Sequence, residues 1–347
     1  MQALQNETIG PAETTTSATE EPSNKPNAQS AEACDVVCRP LTYKESWDVY
    51  EALQNACHPK SRLIAWGIRT VPEAVTPQAG NPDENASIHQ SPFEVTPNSS
   101  GPQVRIAIVL DCEMVTCGSR QEVAFTSAVD LFSGEVLLNT FVQPAEKVTR
   151  WNTRWSGITS QKLNTARRQG NVLWGWKEAR RALWSFANQS TVLIGHAIRN
   201  DLEVLKIIHP RIVDTSILTN EAVFRGGSNK RLWSLKNLSQ TFLGRSIQTG
   251  KNGHDALEDA QATRNILVWC LLHPERLAEW ALSAYTAVMG PVRQGPDDSA
   301  NSDVSPERSR ISSTGSTNKD SEMTHWGSFN EAGGCDGGWA GIQSDGW

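Results

Sequence analysis

The sequence predicts an α/β fold built on a mixed sheet flanked by helices. Three observations carry this reading. VRIAIVLDCEM (104–114) is a near-continuous apolar run, the pattern of a strand buried on both faces. EVAFTSAVDLF and EVLLNTFVQP, joined through Ser133 and Gly134, have the pattern of a hairpin. Beyond them, short apolar runs alternate with stretches of helical periodicity. Strands first and alternation afterwards point to a sheet with both parallel and antiparallel neighbours.

In chain order, residues 1–40 are rich in Glu, Thr, Ser, Pro and Asn and are expected to be disordered. In 41–71 Trp47, Tyr50, Leu53 and Cys57 recur at helical spacing, and RLIAWGI follows as a short apolar run. This predicts a helix plus a strand or turn, too small to fold alone, docked on the main domain or awaiting a partner. Residues 72–103 read as a Pro-, Asn- and Ser-rich linker. The main domain spans 104–290. After the hairpin it holds a helix over 172–188, a strand in TVLIG and a helix in DLEVLKII. A strand in RIVDT, a helix in SLKNLSQTFLG closed by Gly244, and a long amphipathic helix in DALEDAQATRNILVWCLL complete it. Residues 291–347 are a Gly-, Ser- and Trp-containing tail, expected to be disordered.

Composition narrows the class. Of 347 residues, 38% are hydrophobic and 20% charged, which suits one globular domain with polar tails. No apolar run approaches the ~20 residues that span a bilayer. MQALQNETIG has neither the basic nor the apolar region of a signal peptide. Seven scattered cysteines suit a reducing compartment, and Cys34, Cys38, Cys57 and His58 lack the spacing of a tetrahedral zinc site. The net charge of −6 hides a split, because residues 101–290 carry 22 Lys+Arg against 16 Asp+Glu. A basic domain between acidic tails points weakly to a polyanionic partner.

Acidic residues stand where a core would not place them. Asp111 and Glu113 end the apolar strand, and residues i and i+2 of a strand face one side. Two adjacent carboxylates repel unless a cation lies between them, and hard oxygen donors suit Mg²⁺ or Mn²⁺. Taken alone such a pair is common, and a strand end reaching solvent accommodates it at little cost. In TVLIGHAIRNDLEVL, Asn200 and Glu203 have the spacing of a capping pair, which puts Asp201 in the first helical turn. There the helix dipole alone favours an acid. In GHDALEDAQAT, Asp255 and Glu258 take N-cap and N3 spacing. His254 and Asp259 then occupy the two positions that a helix start brings together, normally with apolar side chains.

These stretches, LDCEMV at 110–115, GHAIRNDLEVL at 195–205 and H-D-A-L-E-D at 254–259, resemble the three motifs of the DEDDh 3′→5′ exonuclease superfamily. With SLKNLS at 234–239, NTFVQPAEKVT and SGIT, the chain is most similar to the RNA exonuclease 4 group over 104–272. The resemblance implies a ribonuclease H-like fold, two divalent ions (Mg²⁺ or Mn²⁺) and removal of nucleotides from a 3′ end. It assigns Asp111, Glu113, Asp201 and Asp259 as metal ligands and His254 as general base. Asp111 would bridge the ions, Glu113 and Asp259 would hold the ion of the attacking water, and Asp201 would support the second. His196 is given a structural role. The implied substrate is a single-stranded RNA 3′ end, in ribosomal RNA maturation and a nuclear or nucleolar setting, without membrane association. The alternatives are single-stranded DNA, a poly(A) tail, or a scaffold that only binds RNA or protein.

Substrate contacts are expected from Met114, from Lys236 with nearby Arg225, Lys230 and Arg231, and from Trp151 or Trp155 by stacking. Trp151 and Asn152 depart from the usual DYRTRVSG of the group, which bears on the choice between RNA and DNA. In the tail, Trp326-Gly327, Gly338-Trp339 and Gly346-Trp347 resemble the Gly-Trp segments that dock on Argonaute proteins.

Overall fold

The computed structural model describes residues 39–72, 93–250 and 253–290. The expected disorder of 1–38 and 291–347, the middle of the linker, and the Gly-Trp pairs lie outside the described residues. Among the described residues, no helix is long and apolar enough to cross a membrane.

The core is a sheet of β2 (Ala107–Cys117), β3 (Arg120–Asp130), β4 (Val136–Gln143), β6 (Val172–Trp174), β7 (Val192–Gly195) and β9 (Ile212–Asp214). Their order is β6-β4-β3-β2-β7-β9, with β5 (Val148–Arg150) paired to the far end of β2. β2, β3 and β4 are antiparallel neighbours, whereas β6, β7 and β9 run parallel to theirs. This is the mixed sheet with flanking helices that the sequence predicts. β2 is central, and Ala107–Leu110 are no more than 1% exposed, which is why they form an unbroken apolar run.

The two faces of β2 meet different layers. Ile108, Leu110 and Cys112 pack with Leu183, Ile198, Leu202 and Leu205 on one side. Ala107 and Val109 pack on the other with Ala260, Leu267 and Val268 of the helix Ala256–Leu272 (α9). The opposite side of α9 meets Phe242 and Leu238 of Leu235–Leu243 (α8). α9 is therefore buried nearly all round rather than amphipathic. Its buried Arg264 is satisfied by donating to the carbonyls of Leu131 (2.7 Å) and Phe132 (3.2 Å). A last helix, Pro274–Met289 (α10), which the sequence reading left unassigned, packs Leu277 and Trp280 against the α8–α9 cluster.

Several elements differ from expectation. The helix expected over 172–188 is an edge strand followed by Gly175–Trp184 (α5). Gly175 at φ 73° makes the turn between them, and Glu178 accepts the Trp174 N–H at 2.7 Å. The helix expected through Ile208 is Arg199–Leu205 (α6), ended by left-handed Lys206. Ile207–Ile208 (β8) then pairs with Glu94–Val95 (β1) inside the expected linker, and Phe93 and Thr96 are buried beside it. In the 41–71 segment, the helices are Tyr43–Ala56 (α1) and Lys60–Ala65 (α2), so RLIAWGI is helix and turn. Val49 and Leu53 form the inward face of α1, whereas Trp47 is 62% exposed, one position off the face the spacing suggested. Val49 and Leu53 join the Ala107–Val109 cluster, and the His58 N–H donates to Ile212 O at 2.9 Å on the β9 edge.

Candidate active site

The site forms where β2 outruns its parallel neighbour. β7 is in register with β2 only over Ala107–Val109 and β5 joins that edge only at Thr116–Cys117, so between them the backbone on that side carries no sheet pairing. The Cys112 N–H there donates to Asp201 Oδ1 at 2.9 Å. Asp111 and Glu113 lie on the α9 face, with Cys112 on the other, as the alternation requires. Between Glu113 and Met114 the pairing with β3 shifts register, passing over Ala124. Such bulges re-aim the side chains beside them.

Asp201 arrives from the turn between β7 and α6. Gly195 is needed there because a Cβ would sit 2.7 Å from the Ile198 Cβ. Ala197 is left-handed at φ 58°, a conformation that side-chain-bearing residues adopt at a cost. The turn is held from a distance by Asp214, whose carboxylate accepts from the N–H groups of Ala197 (3.0 Å) and Ile198 (3.1 Å). Asp214 also caps its own helix, Thr215–Phe224 (α7), by accepting from Ser216 N. α6 thus starts at Arg199, not at an Asn200 cap, and Asp201 remains in its first turn.

Asp259 arrives from the start of α9. Asp255 is the N-cap and accepts from Leu257 N and Glu258 N. Glu258 does not close the reciprocal box; it accepts from Gln248 N at 2.9 Å. The expected meeting of His254 with Asp259 is present, with Nδ1 3.3 Å from Oδ2. The His254 N–H donates to Trp155 O at 2.7 Å, and Gly253 packs directly on the Gly157 backbone at φ 83°, where a Cβ would collide.

Asp111, Glu113 and Asp259 each bring an oxygen within 4.8 Å of the others. Burial, then the charges of Asp201, Asp259 and Glu113, push Asp111 well above the ordinary carboxylate range. Glu113 is pushed up to about 8, first by burial and then by Asp259 and Asp201. Burial likewise raises Asp201, with the Cys112 N–H acting against it. Asp259 rises to about 6 by burial, opposed by the Gln248 hydrogen bonds and His254. A cluster built only of hard oxygens, which resist joint ionisation, fits Mg²⁺ or Mn²⁺ and lacks the Cys or His donors that select zinc. Asp201 stands just outside the three-carboxylate cluster.

The other named residues divide. His196 Nδ1 is 2.9 Å from Thr215 Oγ1, in keeping with a structural role. Met114 is half-buried against the core. Trp151 packs with Val115, Cys117 and Ile158, whereas Trp155 is 63% exposed and meets the His254 ring edge-on at 6.3 Å. Asn152 is left-handed and donates to Thr116 Oγ1 at 3.1 Å. Lys236 Nζ donates to Gln248 O at 3.3 Å. Lys230 donates to Ala65 O, and Arg231 lies over the Trp233 ring, so both are engaged within the protein. Gln248 and Asp214 were missed because their partners lie 11 and 17 residues away, beyond any local pattern.

The RNase_T family model, described as an exonuclease, matches residues 108–267. The chain is 40% identical to RNA exonuclease 1 of Saccharomyces cerevisiae over 155 residues, 44% of this chain and 26% of that protein. It is 35% identical to RNA exonuclease 3 of Candida albicans over 161 residues, 46% of this chain and 36% of that protein. With the Apoptosis-enhancing nuclease of Rattus norvegicus it shares 32% over 206 residues, 58% of this chain and 57% of that protein. The chain thus spans less than two thirds of each of these relatives. The family implies divalent metal ions, and an acidic cluster is present. Residues 108–267 thus match an exonuclease family model, in line with the DEDD-type resemblance of the three motifs.

Proposed function

We propose that the protein is a divalent-metal-dependent 3′→5′ exonuclease that hydrolyses phosphodiester bonds at the 3′ end of single-stranded RNA. The observation that carries this is the convergence of Asp111, Glu113 and Asp259, with His254 on Asp259. Two relatives bear the name RNA exonuclease, which favours RNA as the polymer. Asp111, Glu113 and Asp259, with Asp201 beside them, would hold two ions, Mg²⁺ or Mn²⁺. Such ions supply charge stabilisation for the attacking and leaving oxygens of an in-line displacement.

The chain's own part is positioning and proton transfer. With the His254 proton on Nδ1, facing Asp259, Nε2 keeps its lone pair and accepts the proton of the attacking water. The carboxylate orients the ring and stabilises the imidazolium that forms. The Trp155 carbonyl fixes the backbone of His254, and the exposed Trp155 indole beside it offers a face on which a terminal base stacks. Trp151 is committed to packing and Asn152 to Thr116, so Trp155 replaces Trp151 as the stacking candidate.

The test uses matched, 5′-labelled RNA and DNA oligonucleotides with Mg²⁺ or Mn²⁺. Shortening of RNA is expected to exceed that of DNA, to stop in EDTA, and to fall ~10²–10⁴-fold in His254→Ala. Activity that persists in EDTA refutes the metal reading, and a DNA preference refutes the polymer.

A further inference from the structure

Gln248 lies outside every exonuclease motif, yet its side-chain nitrogen and both of its backbone polar groups are engaged. Its side-chain amide nitrogen donates to both Asp259 oxygens, at 3.0 and 2.9 Å. Its backbone N–H donates to Glu258, one residue before Asp259 on the same helix, at 2.9 Å. Its carbonyl accepts from Lys236 on α8 at 3.3 Å. It does this from a left-handed backbone, φ 53°, which a residue with a long side chain holds only against some cost. The loop before α9 is therefore shaped to deliver one amide to one carboxylate.

A carboxylate offers about four lone-pair directions. Gln248 occupies one on each oxygen, and His254 Nδ1, 3.3 Å from Oδ2, a second on that oxygen. One direction is left, on Oδ1. We infer that Gln248 is a positioning residue for the metal site: it fixes Asp259 as a single-oxygen ligand aimed at Asp111 and Glu113, with His254 held on the other oxygen. The inference rests on the proposed metal reading of the cluster. Without the amide, the Asp259 carboxylate is free to rotate, and both cluster geometry and the His254 contact are lost together.

The measurement is Mn²⁺ binding by the full chain without substrate, followed by electron paramagnetic resonance. Two variants are used. Gln248→Met keeps the length and removes the donor. Gln248→Asn keeps an amide and the tolerance for left-handed backbone but is one methylene short. Both are expected to bind Mn²⁺ about 10–100-fold more weakly, the usual effect of losing a hydrogen bond to a metal ligand. Thermal unfolding in EDTA should stay close to wild type for Gln248→Asn. Mn²⁺ bound by wild type and equally well or better by both variants overturns the inference alone. A wild type that binds no Mn²⁺ overturns the metal reading, and this inference with it.

Discussion

Glu113 is a buried acid with other acids for neighbours, and its protonation couples the site to the stability of the fold. Its carboxyl is pushed from an ordinary 4.5 up to about 8, chiefly by burial. Between those values the folded protein keeps a proton that the unfolded chain has released. The stabilisation is therefore full below about pH 4.5 and is lost as the pH rises through about 8. Thermal melts of metal-free protein should show a midpoint that falls from pH 5 to pH 8, and Glu113→Gln should flatten that slope. Mn²⁺ should raise the midpoint more at pH 8 than at pH 5, because it favours the ionised cluster. A wild-type melt independent of pH over this range contradicts the reading. Asp111, Glu113 and the His254–Asp259 pair were legible in sequence because two local rules fix them, strand alternation and the geometry of a helix start. Gln248 was not, because its contact with Asp259 depends on the path of a loop rather than on spacing.

At the scale of elements, the site is made by ends. β2 continues past β7, α6 begins at a turn capped from β9, and α9 begins where Gly253 seats its loop on the 153–157 turn. Gly253→Ala should be costly twice over, through its φ of 83° and through a methyl driven into the Gly157 backbone. A loss of about 1–3 kcal/mol is expected from the backbone conformation alone. Because His254 is the next residue, activity should fall further than stability does. Denaturant melts and rate measurements on the same variant check this, and an unchanged rate contradicts the proposed role of the loop. Strand and helix identities were legible wherever the apolar stretch was long, as in β2, the β3–β4 hairpin and α9. The three residues of β6 were not, since an edge strand that short is set by pairing with Phe141–Gln143, not by its own pattern. The α6 start was misread because the carboxylate that holds the turn before it, Asp214, comes from another strand.

Across the whole molecule, one helix ties the layers together. α9 carries Asp259 at its start, packs one side on the sheet beneath Asp111 and Glu113, and packs the other on α8. The N-terminal helices belong to the same body, since α1 fills the Ala107–Val109 cluster and His58 Nε2 accepts from the Asp214 N–H at 3.0 Å. Asp214 holds the turn that delivers Asp201, so this segment reaches the site through two hydrogen-bonded steps. The sequence left docking and an awaited partner as alternatives for this segment, and it did not show the inward face of α1, because a helix of mixed aromatics does not reveal which side the sheet will cover. The central claim is that these layers assemble a metal-dependent site acting from the 3′ end. Its most direct test is digestion of one 5′-labelled single-stranded RNA in Mn²⁺ by wild type and by Asp111→Asn, at enzyme in excess over substrate. The account predicts a ladder shortened one nucleotide at a time by wild type and intact RNA with Asp111→Asn. The same ladder from both proteins, or immediate release of the labelled 5′ nucleotide, would contradict it.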